Sequence, residues 1–346
     1  MKKLLTIALA LILTLSLMPQ AGAEGVVNVF NWDDYINDEV IALFEEETGI
    51  KVNYMRFTLN EDMLVQARTS PGAFDVIFPS DYMIERMIRE NLLQPLDFSL
   101  IPNASYTLDW MLNPDFDPEN KYSVPYMWGT VGILYDQTRV LAPIDSWGAL
   151  FDDTYKGEVF MMDSPRDTLG VALKYLGYSI NSTNPLEIQA AANLLIDQKQ
   201  RGIVKAYQVD ETKDKMAAGE GILAVMWSGD AQYAINLNSN LVYTVPMEGS
   251  NVWIDSMVIP AGAQNVENAH AFINFLSRPD IAQLNTEYIE YSSPNSGAIE
   301  LMGEEYIENP NLNPDADTIA RSEYLHDIQD VKILYDTYWG MVKNAK

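Results

Sequence analysis

Short β-type runs alternate with helical patterns along the whole chain, and this alternation restricts its architecture more than any other feature. Residues 26–32 read as a buried strand. Residues 39–47 read as a helix closed by Gly49, which tolerates the left-handed conformation at a helix C-terminus. Residues 51–57 alternate polar and apolar side chains as a strand, a helix covers about 61–69, 74–78 form a third strand and 82–91 are helical. A β-α-β-α-β order demands a mostly parallel sheet covered by helices.

The pattern then recurs. Strands are expected at 132–135, 158–162, 221–227 and 241–245, with helices at 169–176, 185–198 and 231–236. A strand over 253–260 precedes a helix over 266–276, where Val266, Ala269, Ile273 and Leu276 share one face until Ser277-Arg278-Pro279 ends it. A last helix covers 331–342. There is no solenoid repeat and no low-complexity linker.

The first 23 residues read as a targeting segment. Lys2 and Lys3 supply the positive start, 4–17 the apolar run, and Ala21-Gly22-Ala23 the small-x-small cleavage pattern. The apolar run is too short for a membrane span, and no cysteine follows it to carry a lipid anchor. The expected location is therefore periplasmic or otherwise extracytoplasmic. About 320 residues remain, too many for one ordinary core. Two lobes without a floppy connector imply a hinge, with the chain crossing between them more than once. With no cysteine in the sequence, stability rests on burial alone.

Acidic residues number 49 against 22 basic ones; without Lys2 and Lys3 the full-chain charge of −27 becomes −29. Such a field disfavours nucleic acid and anionic lipid as partners and concentrates cations, although solubility alone also accounts for an acidic secreted protein. Trp–Asp adjacency is cheap in so acidic a chain. Placement is more informative, because ligands of open α/β sheets bind beyond the carboxyl ends of strands. Trp32-Asp33-Asp34-Tyr35, Ser80-Asp81-Tyr82, Asp163-Ser164-Pro165-Arg166-Asp167 and Trp227-Ser228-Gly229-Asp230 all follow expected strands, and Trp253-Ile254-Asp255 opens another. Carboxylates spaced along aromatic walls suit a flexible organic cation. Each buried ammonium needs a paired carboxylate, and Trp or Tyr faces cover the methylenes and add a cation–π contribution of about 0.5–2 kcal/mol.

At these residues the sequence resembles the spermidine/putrescine-binding proteins of bacterial polyamine ABC transporters. The resemblance covers nearly the whole chain after residue 23. It rests on Asn31-Trp32-Asp33-Asp34-Tyr35, Glu47-Thr48-Gly49-Ile50-Lys51-Val52, Pro79-Ser80-Asp81-Tyr82, Tyr122 through Gly129, Trp253-Ile254-Asp255-Ser256, Asn274 through Asp280 and Tyr291 through Asn295. It implies an α/β, periplasmic-binding-protein-like type II fold of two lobes, each a mostly parallel, helix-flanked sheet, joined by a hinge. The first lobe would comprise 25–130 plus 253–298 and the second 131–252 plus 299–346.

The resemblance also implies an aromatic box of Trp32, Tyr35, Tyr82, Trp227, Trp253 and Tyr291. Asp34, Asp167 and Asp255 would take ammonium groups, with Ser80 as a polar contact. Asp230 in Trp-Ser-Gly-Asp and the Asp163-Ser164-Pro165 loop match putrescine-type members, and Leu325 stands where some spermidine binders have Gln. These lean towards putrescine and leave spermidine open. The implied partners are a polyamine and the membrane ABC permease. A monomer is expected, without nucleic acid, cofactor or catalytic activity.

Some residues have plainer readings. Asp34 could cap the following helix, and Asp163 could cap the helix around Thr168 or orient Arg166. Trp128, Trp147 and Tyr126 read as packing. A secreted hydrolase would have to use a pair such as Asp33 with Asp255. The sequence has no Gly-x-Ser-x-Gly, His-Glu-x-x-His or Walker pattern, and His270 and His326 lack a catalytic partner motif. A receptor for another organic cation stays open beside these.

Overall fold

The computed structural model describes residues 25–346; the targeting segment at 1–23 lies outside them. Strand β1 (Gly25–Trp32) leads into helix α1 (Asp38–Thr48), and strand β2 (Ile50–Phe57) returns parallel to β1, pairing from Gly25↔Ile50 to Trp32↔Phe57. Local chemistry sets both ends of α1. The Asn37 side chain accepts from the Glu39 N–H, and Gly49, at φ 73°, donates its N–H to the Glu45 carbonyl. Val40 and Phe44 bury the inner face.

Helix α2 (Asn60–Thr69) precedes strand β3 (Val76–Ile77), which joins the other edge of β1 in parallel, and α3 (Asp81–Arg89) follows. Strand β4 (Ser123–Asp136) comes next, then β5 (Val159–Met162), α4 (Pro165–Tyr175), α5 (Pro185–Gln200), β6 (Val204–Gln208), α6 (Glu211–Ala217), β7 (Leu223–Trp227), α7 (Ser228–Leu237) and β8 (Leu241–Thr244). Strand β9 (Val252–Val258) precedes α8 (Val266–Leu276), α9 (Pro279–Ile289), α10 (Ser296–Met302), α11 (Glu304–Ile307), α12 (Ala316–Ala320) and α13 (Lys332–Asn344).

The strands of the described residues form two sheets that share β4. The first runs β2-β1-β3-β9-β4; the second runs β6-β5-β7-β4-β8. Residues Ser123 to Thr130 of β4 pair antiparallel with β9. From Val131 onward β4 pairs with β7, and β8 joins its other edge from Ile133. In each sheet four strands point one way. The fifth, β9 in the first and β4 in the second, is opposed, and it is the strand that arrives from the other lobe. The resulting lobes are mostly parallel and helix-flanked, as the resemblance implied.

Three expectations needed correction. β4 is far longer than the expected 132–135: it begins at Ser123 and carries Pro125, Gly129 and Gly132 within it. Pro125 sits at a register irregularity. Gly132 is where β8 comes close: a Cβ there would lie 2.4 Å from the Thr244 carbonyl. Pro279 ends one helix but also starts the next as its first residue, so α9 follows α8 at once. The expected boundary at 298 cuts α10, where a Cβ on Gly297 would meet the Pro279 ring at 2.7 Å. The C-terminal segment beyond it divides its packing: Ile319 and Tyr324 lie on the first-lobe core around Phe30 and Ile254, while Tyr335 hydrogen-bonds the Ser182 carbonyl.

Candidate functional site

The first lobe builds its part of the site from the turn after β1. Buried Asn31 holds that turn, accepting from the Trp32 N–H at 2.8 Å and donating to the Tyr35 carbonyl at 3.2 Å. Asp34 adopts φ 50°, a left-handed turn position. Tyr35 is thereby turned inward, and its hydroxyl donates to Asp255 Oδ2 at 2.9 Å. The Tyr126 hydroxyl donates to the Tyr35 carbonyl at 2.6 Å. Trp32 is half-buried, with its indole N–H on the Phe78 carbonyl and its ring 4.5 Å from that of Phe57. After β3, Ser80 Oγ and the Tyr82 hydroxyl both accept from Asn60 of α2, at 3.0 and 3.1 Å, and Ser80 bridges to Asp255 across the sheet.

Glycines make the aromatic wall feasible. Trp253 faces Gly129 across the β4–β9 ladder, and a Cβ on Gly129 would lie 2.6 Å from its indole. Tyr291 rests over Gly229, where a Cβ would meet its ring at 2.4 Å. Trp253 and Tyr291 then meet edge-on at 5.1 Å, and Tyr291 and Tyr35 at 6.0 Å. The indole N–H of Trp253 is buried without a partner.

Three carboxylates share one structural logic. Asp81, Asp167 and Asp230 each lie in the first turn of a helix that leaves the carboxyl end of a strand: α3 after β3, α4 after β5 and α7 after β7. The aligned peptide dipoles there favour negative charge. Burial nevertheless raises all three carboxyl groups above the ordinary aspartate value. Asp81 goes well above it, with the charge of Asp255 adding to the effect of burial. Asp255, on β9, is pushed up to about 6 by burial against the opposing hydroxyls of Ser80 and Tyr35.

The structure brings Tyr35, Ser80, Trp253, Asp255, Tyr291 and Asp230 into one contiguous group, with Trp227 at the start of α7 beside Gly229. Tyr291 joins it to Asp230, whose carboxylate faces the Tyr291 hydroxyl. Asp167 and Tyr82 are linked through Arg166: the guanidinium lies 5.9 Å from the Tyr82 ring, and its charge opposes the raised value of Asp167. Asp34 is set apart, exposed at the rim and accepting from the Tyr288 hydroxyl at 2.8 Å.

Several plainer readings are corrected or sharpened. Asn37, not Asp34, caps α1, and Ser164, not Asp163, caps α4 while bonding Asp167 Oδ2 at 2.5 Å. Asp163 pairs with Lys343 at 2.6 Å. Trp128, Trp147 and Tyr126 are buried. Asp33 is exposed and lies 3.5 Å from Arg56, whereas Asp255 is buried and accepts from the Tyr35 hydroxyl. Among the described residues no group of three or more His, Cys, Asp or Glu side chains is placed to hold a metal.

Sequence reasoning left out three residues that the fold places here. Asp81 is 1% exposed; its Oδ1 accepts from the Tyr82 N–H at 2.7 Å, and its Oδ2 has no partner. Its place in Ser80-Asp81-Tyr82, as the first residue of a helix after a strand, was the signal that could have found it. Arg166 is buried and donates to the His326 carbonyl and Asn181 Oδ1. Lys213, on α6, reaches Asp230 Oδ1 at 3.3 Å. Nothing in the local sequence around Lys213 announces that pairing.

With this geometry in view, residues 39–314 match the family of bacterial extracellular solute-binding proteins. The chain is 37% identical over 319 residues to the spermidine/putrescine-binding periplasmic protein of Salmonella typhimurium, covering 92% of this chain and 91% of that one. It is 33% identical over 361 residues to the putrescine-binding periplasmic protein SpuD of Pseudomonas aeruginosa, with 98% of each chain covered. A solved Listeria monocytogenes protein, described as a spermidine/putrescine ABC transporter, matches with a TM-score of 0.88 at 40% identity, over 93% of this chain and 99% of that one. Topology and likeness agree on the periplasmic-binding-protein-like type II fold.

Proposed function

The chain belongs to the family of bacterial extracellular solute-binding proteins, and on that premise we propose that it captures a polyamine between its lobes and delivers it to a membrane ABC permease. One observation carries the reading: the buried Asp255 carboxylate, held by Tyr35 and Ser80, beside a wall made by Trp253 and Tyr291. A carboxylate kept out of water at this cost is stabilised by an ammonium brought to it, and the rings shelter the methylenes between ammoniums. Names of relatives support the same ligand class, since they include both spermidine/putrescine and putrescine binders.

Within that class we favour putrescine over spermidine. Asp230 and the Ser164 loop are the supporting features, and the ligand-contacting set is Trp32, Asp34, Tyr35, Ser80, Tyr82, Asp167, Trp227, Asp230, Trp253, Asp255 and Tyr291. The lobes divide where β4 exchanges β9 for β7 between Thr130 and Val131, which supports hinge closure about that strand. Closure would expel water from the cleft and present one compact form to the permease. Export through the segment at 1–23 completes the proposal.

Calorimetric titration of refolded, ligand-stripped protein tests it. Putrescine should release heat at low ligand excess, spermidine should bind more weakly, and lysine and a neutral sugar should not bind. Heat only with lysine or the sugar overturns the polyamine reading.

A further inference from the structure

Asp230 was read from sequence as a ligand-contacting residue of the putrescine type, yet in the fold its carboxylate already faces an ammonium of the protein's own. Lys213 Nζ lies 3.3 Å from Asp230 Oδ1, and the two side chains are only 29% and 13% exposed. The Tyr291 hydroxyl faces the same carboxylate. Lys213 also lies in the fields of Asp210 and of Asp34, the first-lobe residue at the rim, and its ammonium sits 5.1 Å from the Tyr233 ring. A lysine in these surroundings has what a bound ammonium needs: a carboxylate, an aromatic face and shelter from water.

The charges of the site point the same way. Among the described residues, Asp230 alone of the four buried or largely buried acidic groups Asp81, Asp167, Asp230 and Asp255 has a cation of the protein's own at ion-pair distance, Lys213, while the charge of Arg166 acts on Asp167 without pairing with it. A ligand ammonium brought to Asp230 would meet Lys213 at close range, and like charges set together in a partly dry site repel strongly.

We propose that Lys213 is a specificity-determining residue: its ammonium occupies the place at Asp230 that an additional ligand ammonium would take, so the cleft accepts a diamine and discriminates against a triamine. The inference rests on the polyamine reading. It explains selectivity by an element that repels the wrong ligand rather than by one that attracts the right one.

The test compares putrescine with spermidine on the ligand-stripped protein, unaltered and as Lys213→Met, Lys213→Gln and Lys213→Arg. Removing the charge in K213M should raise spermidine affinity relative to putrescine by about tenfold or more, since juxtaposed like charges cost at least that much. K213Q should repeat the shift in a polar side chain, and K213R should keep the original ratio. Adding Asp230→Asn to K213M should remove the gain, because no freed carboxylate then remains. An unchanged ratio in both K213M and K213Q, with both ligands still binding, overturns the role of Lys213 alone. If the unaltered protein binds neither ligand, the polyamine reading falls and takes this inference with it.

Discussion

At the scale of single residues, Asp255 carries the conflict between stability and binding. The residue is 7% exposed and its carboxyl is pushed up to about 6, because burial penalises the charged form more than Tyr35 and Ser80 compensate it. The sign follows from linkage. Between about pH 4 and 6 the folded, ligand-free protein holds this proton while the unfolded chain releases it, so the contribution of Asp255 to stability falls as pH rises through that window. Replacing it by Asn, which keeps an acceptor for the Tyr35 hydroxyl, should stabilise the ligand-free protein by about 1–3 kcal/mol at pH 7.5, the free-energy equivalent of carrying a carboxyl from its ordinary value to about 6. The gain should shrink towards pH 4, as read by urea denaturation of both proteins across that range. The same substitution should abolish polyamine binding, and in the unaltered protein affinity should weaken as pH drops below about 6. Equal stability at pH 7.5 would mean that the charge is not held at a cost.

At the scale of elements, β4 does most to shape the site. It passes from one sheet to the other and stays buried along its whole length, which is why no alternation of polar and apolar residues marks it in the sequence. Its glycines are spaces for other groups. Gly129 admits the Trp253 indole, and a Cβ there would also lie 2.7 Å from Ser228 Oγ. Gly129→Ala should therefore push Trp253 out of line, costing about 1–3 kcal/mol of stability through overpacking. It should also reduce polyamine affinity by about tenfold or more, in keeping with the loss of a cation–π and stacking contact. Calorimetry beside thermal unfolding separates the two effects, and unchanged affinity would show that the orientation of Trp253 is not required.

At the scale of the molecule, the C-terminal segment ties the lobes together beside the crossing strands. Glu85 and Arg89 of α3 bind it from the first lobe: Glu85 accepts from the Asp327 N–H at 2.9 Å and faces His326 Nδ1 at 3.2 Å, and Arg89 pairs with Asp327. Arg166 of α4 holds it from the second lobe through the His326 carbonyl. Glu85 raises the His326 imidazole above its ordinary value. The charged tie is thus fully present below the ordinary imidazole value, for as long as Glu85 stays ionised, and fades as pH rises through the folded value of His326. Glu85→Gln should increase hydrogen exchange of residues 325–331 over the unaltered protein, most clearly below that value. No change in protection would mean that this segment is held by packing alone.

The order and kind of most elements were legible from local sequence, because these depend on neighbours within a turn or two. Hydrophobic periodicity located α8, Gly49 closed α1, and the strand exits placed Tyr35, Ser80, Trp227 and Asp230 near the ends of their strands. Motif resemblance located Asp255 and Trp253, though not how they are held. Tertiary structure alone decided which charges are free. Asp163 is taken by Lys343, Asp33 faces Arg56, Asp34 turns out to Tyr288, and Asp230 is shared with Lys213. Those pairings join residues distant along the chain, and their strength depends on how far each group is withdrawn from water, a property no local pattern encodes. The length of β4 was hidden for a related reason. Proline and glycine weaken a strand in isolation, and only the partners packed against Gly129 and Gly132 make their lack of a side chain necessary.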